Sequence, residues 1–80
     1  MTPRQRETLR VIATHIAARG YPPTLREIGN ALGIVSLNGV NDKLRRLVAL
    51  GFIERDTKTA RGLRLTRAGS RELGEKGVES

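Results

Sequence analysis

Between Ser36 and Arg46 the chain reads SLNGVNDKLRR, and its polar members are of the kinds that read the edges of base pairs. An asparagine amide can pair bidentately with adenine, a carboxylate can accept from cytosine, and arginine suits guanine or a phosphate. Wound as a helix at about 100° per residue, the segment divides into two sides. Leu37, Val40, Leu44, Leu47 and Val48 fall on one side and are expected to be buried. Asn38, Gly39, Asp42, Arg45 and Arg46 fall opposite, flanked by Asn41 and Lys43. Gly39 would let the backbone approach a partner closely. Asparagine and glycine also weaken a helix, so an exposed helix has little structural reason to carry them near its start. The plainer alternative is a solvated polar face.

A reading helix needs a brace, and the residues before it supply one. Thr24-Leu25-Arg26-Glu27 is a capping box, with threonine at the N-cap and glutamate three residues on. It opens a helix whose Leu25, Ile28 and Leu32 face inward and which Gly33 closes; Ser36 caps the next, which stops at Gly51. Two short helices joined by a tight glycine-bearing turn outline a helix-turn-helix, in which the first steadies the second and the second enters the major groove N-terminal end first. Gly29 sits one turn before Gly33 on the inward face, where a side chain would hold the two helices apart. An ordinary helical hairpin has the same outline. Upstream, Thr2-Pro3-Arg4-Gln5 starts a first helix, with Leu9, Ile12, Ala13 and Ile16 on one face and Gly20 as its stop. Tyr21-Pro22-Pro23 must be an extended connector, because proline cannot continue a helix.

After Gly51 the period changes. Phe52-Ile53-Glu54-Arg55 reads as a short strand, residues 56–60 as a polar turn, and Arg61-Gly62-Leu63-Arg64-Leu65-Thr66 as an alternating, half-buried second strand. The two are expected to pair as a hairpin, with Lys58, Arg61 and Arg64 along it, in reach of phosphates or the minor groove. Arginines on a two-stranded edge also guard against edge pairing, which would account for some of them. Thr66 can cap one more short helix through Leu73, and residues 74–80 have little to bury and are expected to fray. The expected fold is mainly α with a small β-hairpin: a winged helix-turn-helix of three helices plus a two-stranded wing, over residues 1–66. A short helix and tail occupy 67–80.

Eighty residues allow one domain with a modest core. Fifteen Lys plus Arg against eight Asp plus Glu leave a formal +7, which favours a polyanionic partner over a merely solubilising surface. From Arg55 to Arg71 six basic residues face a single acid, Asp56. The absence of cysteine rules out a disulfide framework or a thiolate metal site and suits the cytoplasm. No apolar run approaches a membrane span, and no signal-peptide pattern begins the chain. His15 stands between Thr14 and Ile16 without cysteine or carboxylate at ligand spacing, as a partly buried helix residue would. No phosphate loop, nucleophile elbow or credible acid pair appears, so no catalytic residue, metal or cofactor is expected.

These residues carry a family resemblance. The stretches TPRQRETLRVIATHI, YPPTLREIGNALGI, SLNGVNDKLRRLVALGFIERD and ARGLRL resemble the N-terminal DNA-binding domain of LexA-type repressors over the first 65 positions. That family's turn is one residue longer than in phage-repressor helix-turn-helices, and Val40 falls one place late in the same way. Mapped by motif, the family's base-reading positions fall on Ser36, Asn38, Gly39, Asn41 and Asp42. Thr24 and Arg26, at the start of the second helix, complete the expected DNA-facing set with Lys43, Arg45, Arg46 and the wing cations. LexA-type repressors continue into a self-cleaving peptidase domain with a Ser-Lys dyad, which also supplies dimerisation. The sequence stops before such a domain, so no enzyme activity and a mostly monomeric chain, paired at most on a palindromic site, are expected. Val11 is the one apolar residue expected on the exposed side of the first helix. Ala68-Gly69 reproduces the dipeptide such repressors cut but lies in the short helix after the wing and is read as coincidence. LTRAGSREL instead resembles the helical segment after the wing in MarR-like proteins.

The expected function is therefore sequence-specific binding of double-stranded DNA as a transcriptional regulator, a repressor by resemblance, encoded by a bacterium or a phage. Neither a membrane nor a small-molecule ligand is implied. The alternative from another class is a winged helix serving protein–protein contact in a larger nucleoprotein assembly, which would require apolar exposure on the third helix.

Overall fold

Every helix begins where a hydroxyl side chain takes up a free backbone N–H. A computed structural model of the chain describes residues 2–56, 58–59 and 61–74. In α1 (Pro3–Arg19), Thr2 Oγ1 accepts from the Gln5 N–H at 3.1 Å and Gln5 Oε1 accepts in return from the Thr2 N–H at 3.0 Å. The same reciprocal box opens α2 (Leu25–Leu32), where Thr24 and Glu27 exchange bonds of 3.2 and 2.8 Å. Ser36 caps α3 (Leu37–Ala49) through the Asn38 N–H, and Thr66 caps α4 (Arg67–Glu72) through the Gly69 N–H. Each cap is worth about 1 kcal/mol. Past each helix the chain turns at a glycine with positive φ: Gly20, Gly33, Gly51 and Gly74.

Helices α1, α2 and α3 pack around Leu9, Ile12, Ile28, Leu32, Val40, Leu44 and Leu47, and the wing adds Ile53 and Leu63 to the same core. Strands β1 (Ile53–Arg55) and β2 (Leu63–Leu65) pair antiparallel, with Ile53 opposite Leu65, Glu54 opposite Arg64 and Arg55 opposite Leu63. The strands are shorter than the expected runs, but their ladder is carried on at both ends, by the Thr66 N–H to the Phe52 carbonyl and the Asp56 N–H to the Gly62 carbonyl. Gly62 permits that closure: a Cβ there would meet the Asp56 carbonyl oxygen at 2.0 Å.

Gly29 is buried where α2 meets the turn and α3. A Cβ on it would stand 2.9 Å from the Ile34 carbonyl oxygen and 3.3 Å from Val40 Cγ2, so the missing side chain sets the closeness of the two helices, as expected. Gly69 has a comparable role in α4, where a Cβ would come within 2.2 Å of the Phe52 carbonyl oxygen. That contact gives the glycine of Ala68-Gly69 a packing reason of its own. Arg6 ties α4 to α1, donating to the Glu72 carbonyl at 2.8 Å.

Three expectations about burial are corrected. Leu37 and Val48 are 46% and 41% exposed, because the apolar stripe of α3 is wider than the surface α1 and α2 cover, and both residues sit at its margins. Val11 lies half-buried against the core rather than outside it. Thr8 is fully buried, a polar position the apolar pattern could not mark; its hydroxyl donates to the Arg4 carbonyl at 3.0 Å and so carries no unmet bond inside the core. Of the expected C-terminal fraying, residues 75–80 lie outside the described residues.

Candidate nucleic-acid interface

On α3, burial of Val40, Leu44 and Leu47 turns Asn38, Asp42, Arg45 and Arg46 into solvent, with Gly39, Asn41 and Lys43 half-buried beside them. Gly39 presents bare backbone on this face, and its Cα packs over Ile34, whose Cγ2 would stand 3.1 Å from an added Cβ. Asp42 and Arg45 approach to 3.4 Å, an exposed pair of little energetic weight that a nucleotide could separate cheaply. Among the described residues, Arg26, Lys43, Arg46 and Lys58 have no carboxylate partner.

Asn41 is placed differently from Asn38. A side-chain N–H of Arg55, on β1, donates to the Asn41 amide oxygen. Because guanidinium only donates, this partner fixes which end of the amide points where. The bond ties the Asn41 amide to the wing, so it is less free than that of Asn38 to turn toward a base edge. Arg55 was legible in the sequence only as one cation of a basic strip; the link to a residue fourteen positions away has no local signal.

The wing cations divide in the same manner. Arg64 points outward, its side chain 79% exposed and 3.3 Å from Glu54 on the neighbouring strand. Lys58 is exposed near the tip, its backbone N–H held by Asp56 Oδ1 at 2.9 Å. Arg61, expected to project from the wing, folds back on the start of α2. It donates to Glu27 Oε1 and Oε2 at 3.0 and 3.2 Å and to the Pro22 carbonyl at 2.8 Å. Its guanidinium carbon also lies 4.5 Å from the centre of the Tyr21 ring. A two-oxygen acceptor beside an aromatic face matches the planar guanidinium fork, and no spacing along the chain announces it. Thr24 spends its hydroxyl on capping α2, and Arg26 is exposed in the first turn of that helix.

Glu27 therefore joins the helix cap to the wing. The Arg61 guanidinium, with help from the Thr24 N–H, pulls its carboxyl down to about 2 from an ordinary 4.5. A depressed carboxyl stabilises the fold above its unfolded value and loses that contribution as pH falls through the folded value. Wild-type stability is therefore expected to decline between about pH 4.5 and 2 more steeply than that of Glu27→Gln, whose amide keeps the capping box. Urea midpoints followed by circular dichroism across that range check this; parallel declines would remove the link. His15 packs edge-on to Tyr21, ring centres 5.6 Å apart, with Nε2 3.8 Å from Glu27 Oε1. Among the described residues no group of three or more His, Asp or Glu side chains could hold a metal ion, and no helix is long and apolar enough to cross a membrane.

Residues 1–62 match the family model of the LexA DNA binding domain. The chain is 51% identical over 80 residues to a LexA repressor of Anaeromyxobacter sp. strain K, covering all of this chain and 35% of that protein. Similarity to the LexA repressor of Sorangium cellulosum is 52% over 64 residues, or 80% of this chain and 28% of the relative. The LexA repressor of Ligilactobacillus salivarius is 43% identical over 72 residues, 90% of this chain and 35% of the relative. The chain thus spans about a third of the length of the curated relatives it matches.

Proposed function

Because the chain belongs to the LexA DNA-binding domain family, we propose that it binds double-stranded DNA with sequence preference and acts as a transcriptional repressor. In this reading α3 lies in the major groove, where Asn38, Gly39 and Asp42 meet base edges, and Arg45 and Arg46 meet bases or phosphates. The wing, through Lys58 and Arg64, holds the backbone or the minor groove. The observation that carries the proposal is the face of α3 itself: its exposed side holds polar and cationic groups with no role in the core, in a chain of formal charge +7. Arg61 and Arg55 act indirectly, the first by anchoring the wing to α2 and the second by orienting Asn41.

Selection of bound sequences from a random duplex pool, with titration of the winners at several salt concentrations, tests this. With roughly five phosphates neutralised, log K is expected to fall with log[salt] at a slope of about −4 to −5. A slope near zero, or equal affinity for duplex and for unstructured RNA, would refute it. One observation favours a second reading, protein–protein contact: Val48 and Leu50, at the C-terminal end of α3, are 41% and 47% exposed. That reading expects Val48→Ser with Leu50→Ser to abolish association with a protein while the basic face of α3 plays no part.

A further inference from the structure

Val35 is 99% exposed, a β-branched apolar side chain standing free in water one residue before the cap of α3. A single exposed valine is ordinary; its position makes this one informative. The residue before an N-cap is the site of the hydrophobic staple, where an apolar side chain packs against the fourth helical residue and fixes the entry of the chain. Here that fourth residue is Val40, which is fully buried, yet Val35 does not cover it. The apolar residue of this turn that packs on the core is Ile34, half-buried and with its Cγ2 beside Gly39. The 33–36 turn thus turns Ile34 inward and leaves Val35 outside the core, next to Ser36 at the entry to α3.

The major groove offers one apolar feature for such a group, the C5-methyl of thymine. We propose that Val35 reads a thymine methyl in the bound site and so adds apolar discrimination to the hydrogen-bonding face of α3. This rests on the DNA-binding reading above and goes beyond it in naming a reader outside the helix and the base feature it recognises. Contact with a methyl also explains why the turn carries valine where a polar residue would serve solubility better.

The test removes only that methyl. In the duplex recovered from the random pool, each thymine is replaced in turn by deoxyuridine, which keeps every hydrogen-bonding group. Binding is measured for the wild type, Val35→Ser and Leu37→Ser, with circular dichroism as the check on folding. The wild type is expected to lose about three- to five-fold at one position, the scale of one buried methyl. Val35→Ser is expected to bind the thymine site correspondingly more weakly and to be indifferent to deoxyuridine at that position, so that the two changes do not add. Indifference of the wild type at every position would overturn the inference, as would sensitivity that survives in Val35→Ser or disappears only in Leu37→Ser. A wild type that binds no duplex at all would instead refute the DNA-binding reading, and this inference with it.

Discussion

Leu44→Ala is expected to destabilise the protein by about 2–5 kcal/mol, the usual range for emptying a buried leucine site. Leu44 is fully buried at the centre of α3, among side chains from α1, α2 and the wing. A chain this size has only about 4–12 kcal/mol in all, so the variant should unfold at a much lower urea concentration. Leu37→Ala, on the same helix and from the same residue type, is expected to cost under about 0.5 kcal/mol, because 46% of Leu37 is already in water. Urea titrations of both variants check the contrast. Similar losses would mean that the apolar stripe of α3 is buried along its whole width.

Asn38→Ala is expected to cost about 1–3 kcal/mol on the preferred DNA site and to relax the preference at one base pair. Its side chain is exposed at the start of α3, and among the described residues only its backbone N–H is committed, to Ser36 Oγ at 3.1 Å. Both ends of the amide are therefore free for a base edge. Arg64→Ala should act in another way. Its side chain stands 79% exposed on β2, with Glu54 its one partner among the described residues, at 3.3 Å, and so has reach but little fixed geometry. Its loss should weaken binding to all sequences alike and make the salt slope shallower by about one unit. Affinities of both variants for the preferred and scrambled duplexes, at several salt concentrations, separate the two roles. If Asn38→Ala lowered affinity equally everywhere while Arg64→Ala changed the base preference, α3 would not be the reading element.

Local chemistry made most of the frame legible. Thr2, Thr24, Ser36 and Thr66 announce helix starts because a cap needs only a hydroxyl and the next turn of backbone. Gly20, Gly33 and Gly51 announce stops because the backbone turns left-handed there, and the alternation around Arg64 announces which way it points. Periodicity also placed Asn38, Asp42, Arg45 and Arg46 on the outer face of α3. Its failures share a cause: a helix period gives the direction of a side chain but not how far a neighbouring element reaches, so Leu37 and Val48 were expected inside and Val11 outside.

By itself, then, the sequence determined where the helices begin and end and which face of α3 looks outward, since these depend on interactions within about four residues. Only the tertiary structure decided which cations remain available. Arg61 and Arg64 are both expected as wing cations, yet one is clasped by Glu27 and Tyr21 while the other points into water. Asn38 and Asn41 are likewise of one type, three residues apart, and Arg55 separates them by holding the Asn41 oxygen. Ile34 and Val35, adjacent and alike, part company because only one can fill the space beside Gly39. In each case the deciding partner lies on another element or fills a space that several elements enclose, and packing alone brings it within reach.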